Sequence, residues 1–308
     1  MVSRRTGALR RSAPVRAVLS GLCLLAGIAS ADAQTDRPRE EELAALQERG
    51  RQIALYLGAV DGAENLMRAQ GGAPADRIVA IPDREGWRVV YLGPSEGTPA
   101  PATASRKGPS IVAETTFSPD SGEFGNLRPL VPPKVAPSNI QSYVRCLEEG
   151  ESATLSRPDG GRPLKEAIVR ESDGTFSVYV ISQRPEEAVP APVAGRAESA
   201  LLGRDFLVKF GVNGKQLLTT ERLHESVATL SLFPRAPGAP LVHEHDKGDL
   251  PTPTDIALVL RYPVLAPLLV LTPRFMFRVD KAGTVTWLGA NPNPKPASSA
   301  APPGTGRP

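Results

Sequence analysis

Residues 166–182, EAIVRESDGTFSVYVIS, carry two runs of alternating apolar and polar side chains on either side of Asp173-Gly174. A two-residue period puts successive side chains on opposite faces of a strand, and an Asp-Gly pair supplies the positive φ that a tight reversal needs. The stretch therefore predicts an antiparallel hairpin. The same unit recurs in RIVAIPDREGWRVVYLG (77–93), in RDFLVKFGVNGKQLLTTE (204–221) around Asn213-Gly214, and in RFMFRVDKAGTVTWLG (274–289) around Ala282-Gly283.

Helical patterns fall between the hairpins. Residues 38–70 space Leu43, Leu46, Ile53, Leu57 and Leu66 at helical intervals, begin with acids that suit a helix N-terminus, and end at Gly71-Gly72. Gly58 and Gly62 are expected to divide this segment into two helices. A capped helix is expected near 252–261, followed by a buried strand in YPVLAPLLVLTP. Four hairpins among a few helices predict an α+β fold, antiparallel β-hairpins packed with helices on one face. Trp87, Phe176, Phe275, Phe277 and Trp287 occupy alternating strand positions, where they read as sheet-face core.

Pro- and Gly-rich breaks set the expected layout. A signal peptide covers 1–33, a helix–hairpin region 38–93, a linker 94–109, a middle α+β region 110–183, a C-terminal α+β region 198–290, and a disordered Pro-rich tail 291–308. The signal reading rests on a basic run with five Arg (1–16), a short apolar run (17–30), and small residues at Ala31 and Ala33. It implies export to the periplasm or the outside of the cell. The first 33 residues carry five Arg against one Asp, a net +4 in a chain of net +3, so the remainder is close to −1. Such a balance argues against a nucleic-acid partner. YPVLAPLLVL has only ten residues and two prolines, so no membrane span is expected after signal cleavage. Without Cys23, Cys146 is the only thiol, and its helical spacing with Ile140 and Tyr143 predicts a buried apolar role.

The chemistry-bearing stretch is LVHEHDKGDLPTPTDIALVL (241–260). All three histidines, His224, His243 and His245, fall within 22 residues. Leu241, His243 and His245 share one strand face, and same-face residues stand about 6.5–7 Å apart, which lets two imidazoles converge on one ion. A third ligand is expected from Asp246, Asp249 or Asp255. Thr252, Pro253 and Asp255 also read as N-cap, N1 and N3 of a helix, which accounts for Asp255 without a metal.

This stretch resembles the JAMM (MPN, JAB1-type) metalloprotease pattern, in which a Glu precedes an HxH strand and Ser-x-x-Asp opens a helix. Here Glu198 begins ESALLG, His243-Glu244-His245 matches HxH, and Thr252-Pro253-Thr254-Asp255 stands for Ser-x-x-Asp, with Thr in place of Ser. The resemblance implies zinc held by His243, His245 and Asp255, with Glu198 as general base and Thr252 steadying the tetrahedral intermediate. Residues 204–285 are also similar to uncharacterised exported bacterial proteins with a DPxPTEIH-like segment, a likeness that implies no activity. The expectation is an exported envelope protein serving as a non-catalytic binding or structural module for an unidentified protein or small-molecule partner. The alternative is a JAMM-like zinc hydrolase acting on a peptide or amide bond. Zinc is implied only by that alternative.

Overall fold

The computed structural model describes residues 37–72, 75–84, 86–93, 108–155, 165–181, 199–203, 205–224, 227–231 and 239–294. Its order is α1 (Glu40–Ala69), β1 (Arg77–Asp83), β2 (Gly86–Gly93), β3 (Ser110–Ser118), β4 (Glu123–Phe124), β5 (Arg128–Val135) and α2 (Ser138–Leu155). There follow β6 (Lys165–Arg170), β7 (Phe176–Ile181), β8 (Ser199–Gly203), β9 (Phe206–Phe210), β10 (Leu217–Arg222) and β11 (Val227–Ser231). The chain then forms β12 (Leu241–Glu244), α3 (Pro253–Arg261), a 3-10 turn (Pro263–Leu265), β13 (Leu268–Leu271), β14 (Phe275–Val279) and β15 (Val285–Ala290). The fold is α+β, and all four hairpins expected from the sequence form antiparallel pairs: β1–β2, β6–β7, β9–β10 and β14–β15. Their turns use Gly174, Gly214 and Gly283 at φ of 84°, 66° and 75°, a region that costs glycine little and other residues more.

One sheet is ordered β1-β2-β3-β4 with β5 also on β3; a second is ordered β10-β9-β7-β6; β8 pairs β11; and the last runs β12-β13-β14-β15. The β12–β13 pair is parallel, a departure from the all-antiparallel expectation. The cause is connectivity: the chain leaves β12, forms α3, and returns to β13, and a helical crossover delivers the next strand parallel. Within YPVLAPLLVLTP only Leu268–Leu271 is strand; the segment before it holds the 3-10 turn at Pro263–Leu265.

Helix α1 is continuous over 30 residues, where two helices were expected. Its glycines mark contacts rather than breaks. A Cβ on Gly50 would lie 2.6 Å from Ile256 of α3, one on Gly58 would lie 3.3 Å from Arg261, and one on Gly62 would overlap the Phe124 ring. Glycine inside a helix costs about 1 kcal/mol relative to alanine, and here close packing by other elements offsets that cost.

Two buried clusters organise the interior. One gathers Ile53, Tyr56 and Leu57 of α1, Val89 and Val90 of β2, Ile140 and Leu147 of α2, and Phe206, Val208 and Phe210 of β9. The other joins Leu43 of α1 to Ile256 and Val259 of α3 and to Val270, Phe277 and Val279 of the last sheet. Of the five strand aromatics, Phe176, Phe275 and Phe277 are buried core, while Trp87 and Trp287 pack half-buried against the two clusters. Polar ties run alongside: Arg49 grips Glu171 through two 2.6 Å bonds, and Asp61 of α1 pairs with both Lys165 of β6 and Arg261 of α3. Cys146 is fully buried, and burial pushes its thiol up to about 12. Among the described residues, no helix is long and apolar enough to cross a membrane.

Candidate metal centre

The three histidines and Asp255 reach one point from three separate elements. β12 alternates buried and exposed residues, so Leu241 and His243 face inward. His245 continues that face just past the strand end, where its backbone N–H donates to Leu271 O at 2.7 Å. Asp255 stands at N3 of α3, whose N-cap is Thr252 and whose first residue is Pro253. His224 arrives from elsewhere, two residues beyond β10. The positive-φ residue Gly248 lies in the short loop that returns the chain from β12 to α3.

One donor atom from each of His224, His243, His245 and Asp255 lies within 4.8 Å of the others. All four residues are at most 1% exposed. His243 Nε2 is 3.5 Å from Asp255 Oδ1, His224 Nε2 is 3.6 Å from the same oxygen, and His224 Nε2 is 3.2 Å from His245 Nε2. Donors held about 2.0–2.2 Å from a tetrahedral ion stand about 3.3–3.6 Å apart. These three separations are close to the edges of such a tetrahedron, while the full set of four donors is looser, lying within 4.8 Å.

The hydrogen bonding sorts the two oxygens of Asp255. Oδ2 accepts from Thr252 N at 2.7 Å and from Thr252 Oγ at 2.9 Å, which is the helix cap read from the sequence, and His245 Nε2 lies 3.0 Å from it. Oδ1 is buried without a hydrogen-bond partner among the described residues, and so are both ring nitrogens of His243. Capping therefore engages one oxygen and leaves the other turned toward the imidazoles.

The electrostatics favour the ligand form of two of the four side chains, His243 and Asp255. Burial pushes His243 down to about 4, reinforced by its two histidine neighbours against the pull of Asp255 and Asp246. Burial alone would raise Asp255, but His245 and His224 outweigh it and hold the carboxyl well below its ordinary value. Burial would likewise lower His224; the neighbouring Asp255 carboxylate, with the charges of Asp205 and Asp246, reverses the direction and raises it, which favours the imidazolium over the ligand form. A neutral imidazole and an ionised carboxylate are the ligand forms of these side chains.

Of the residues expected at the site, His243, His245 and Asp255 are brought together, and Thr252 lies against Asp255. Glu198 lies outside the described residues. Asp249, one of the alternatives for a third ligand, instead pairs with Arg274 at 3.2 Å on the surface. The residue not assigned from sequence is His224. Its signal was present, as the third histidine of a tight cluster, but the strand-face argument that joined His243 to His245 could not reach across to a different hairpin. No protein-family model matches the chain, and no curated protein matches it.

Proposed function

We propose that the chain is an exported, non-catalytic binding or structural module of the cell envelope, whose C-terminal half is built on a closed zinc site formed by His224, His243, His245 and Asp255. The observation that carries this reading is the buried Asp255 Oδ1, 3.5 Å from His243 Nε2, with neither atom hydrogen-bonded among the described residues. Buried polar atoms are rarely left unpaired, and each costs about 1–3 kcal/mol when it is. A divalent cation between them would satisfy both. Three imidazoles and one carboxylate, with no thiolate, suit zinc in tetrahedral geometry.

Two features favour a structural site over a hydrolytic one. A catalytic zinc keeps one position for water or substrate, whereas His224 occupies the fourth corner here. The ligands are also sealed from solvent. The hydrolase alternative instead requires three ligands, an open corner, and Glu198 within reach of a metal-bound water.

Metal analysis of the purified chain tests the reading. It predicts about one zinc per chain, as a single four-ligand site requires, and loss of that zinc in His224→Ala as well as His243→Ala. A preparation that takes up no zinc, and whose stability neither zinc nor chelator moves, would overturn it. A His224→Ala variant that retains zinc and cleaves a peptide would establish the hydrolase in its place.

A further inference from the structure

Behind His224, on the side of the ring away from Asp255, lies a second buried carboxylate. Asp205 is 1% exposed, and its Oδ2 stands 3.7 Å from His224 Nδ1. We propose that Asp205 is the outer carboxylate of the metal centre, a positioning residue that accepts the Nδ1–H of His224 and so holds Nε2 on the ion. The proposal rests on the zinc site described above and adds a role outside its four ligands.

Three observations carry it. First, Nδ1 of His224 is buried without a hydrogen-bond partner among the described residues. Once Nε2 is committed to a cation, the imidazole must carry its proton on Nδ1, and that proton needs an acceptor. Asp205 Oδ2 is the carboxylate oxygen recorded beside it, and closing the 3.7 Å gap to the usual N–H···O distance of about 3.0 Å is a shift of about 0.7 Å. Second, the backbone fixes the two residues relative to each other. Gly203, at φ 95°, is the last residue of β8. Asp205 then precedes β9, and its carbonyl accepts from Leu223 N at 2.8 Å, next to His224. The β9–β10 pairing of Phe206 with Arg222 continues the same ladder. Third, the other end of the site is built alike: Asp255 Oδ2 is held by Thr252 N and Thr252 Oγ, which leaves Oδ1 for the ion. Asp205 would give His224 the orientation that Thr252 gives Asp255.

The geometry also assigns the two carboxylates different tasks. Asp255 Oδ1 faces His224 Nε2 at 3.6 Å, and Asp205 faces Nδ1, the nitrogen across the ring. Asp205 therefore acts through His224 and is not a fifth ligand.

The test is zinc competition against a chromophoric chelator, together with cobalt(II) absorption, on wild type, Asp205→Asn and Asp205→Ala. Loss of an outer partner of a metal-bound histidine weakens metal affinity by about 10–100-fold. Asp205→Ala should lose that much while still binding one metal per chain. Asp205→Asn, which keeps a neutral acceptor in the same shape, should lose less and should shift the cobalt ligand-field bands less. Should Asp205→Ala fail to fold, the near-isosteric Asp205→Asn carries the test, with weakened affinity as the supporting result. Wild type that binds zinc while both variants bind it equally tightly, with unchanged cobalt bands, overturns the role of Asp205 alone. Wild type that binds no zinc overturns the metal site itself and this inference with it.

Discussion

His243→Leu separates a ligand from an ordinary core residue, because its effect on stability should change sign with metal. The His243 ring is 1% exposed, and neither nitrogen has a hydrogen-bond partner among the described residues. In chelator, the wild-type protein carries that burden, and removing an unpaired buried polar group recovers about 1–3 kcal/mol. Leucine does not fill the imidazole's shape perfectly, and such swaps cost less than about 1.5 kcal/mol. Metal-free His243→Leu should therefore be as stable as wild type or more stable, by up to about 2 kcal/mol. With free zinc at 100 times its Kd, wild type gains about 2.7 kcal/mol and the variant nothing. The order then reverses. For a folded unit of this size 1 kcal/mol is about 2–4 °C, so zinc should raise the wild-type Tm by about 5–10 °C and leave the variant where it was. Urea denaturation of both proteins, in chelator and in zinc, gives all four values. Equal destabilisation by His243→Leu under both conditions would refute the reasoning, since a core histidine with a hidden partner behaves that way.

Glu166 should make the protein lose stability as pH rises. Burial lifts its carboxyl from 4.5 to about 7 despite a 2.9 Å bond from Arg77. Below the unfolded value both states hold the proton; between about 4.5 and about 7 only the folded state does, so stability falls across that window by up to about 1.4 kcal/mol per pH unit. Glu166→Gln should flatten this fall in denaturation midpoints measured against pH, and an unchanged profile would assign it to other groups. Gly50→Ala should destabilise by about 1–2 kcal/mol, because a Cβ 2.6 Å from the branched Ile256 side chain costs more in overpacking than the roughly 1 kcal/mol alanine adds to a helix. Since α3 carries Asp255, zinc affinity should fall in the same variant; a more stable Gly50→Ala with full affinity would show that the α1–α3 contact yields freely.

The hairpins were legible because their information is local. A glycine at the turn and a period of two on either side suffice for β6–β7 or β14–β15. The capped start of α3 was legible for the same reason, since Thr252, Pro253 and Asp255 lie within one turn. What the sequence hid was set by partners distant along the chain. Gly58 and Gly62 look like interruptions in α1 until Arg261 and Phe124 occupy the space above them. The parallel β12–β13 pair follows from where α3 returns the chain, which no strand pattern records. His224 belongs to the site only because the β9–β10 hairpin ends beside β12.

Asp255 shows why a sufficient structural reason does not exhaust a residue. Its place at N3 explains one carboxylate oxygen, which the Thr252 backbone and hydroxyl hold, and leaves the other buried at 3.5 Å and 3.6 Å from two imidazoles. The cap orients that second oxygen, so the helix start and the proposed ion are coupled rather than competing. The coupling has a reach that the cap alone lacks. His224 ends a hairpin of the β10-β9-β7-β6 sheet, while Asp255 and the other two histidines belong to α3 and the edge of the β12-β13-β14-β15 sheet. An ion at their centre would tie the two sheets at one buried point of the folded state, and its binding free energy would add to the stability of that state. Among the described residues Cys146 is a free, buried thiol, so no disulfide there makes this tie. Four polar side chains sealed inside a protein of this size are costly to fold around unless something compensates them, and a cation between Asp255 Oδ1 and His243 Nε2 would satisfy both at once.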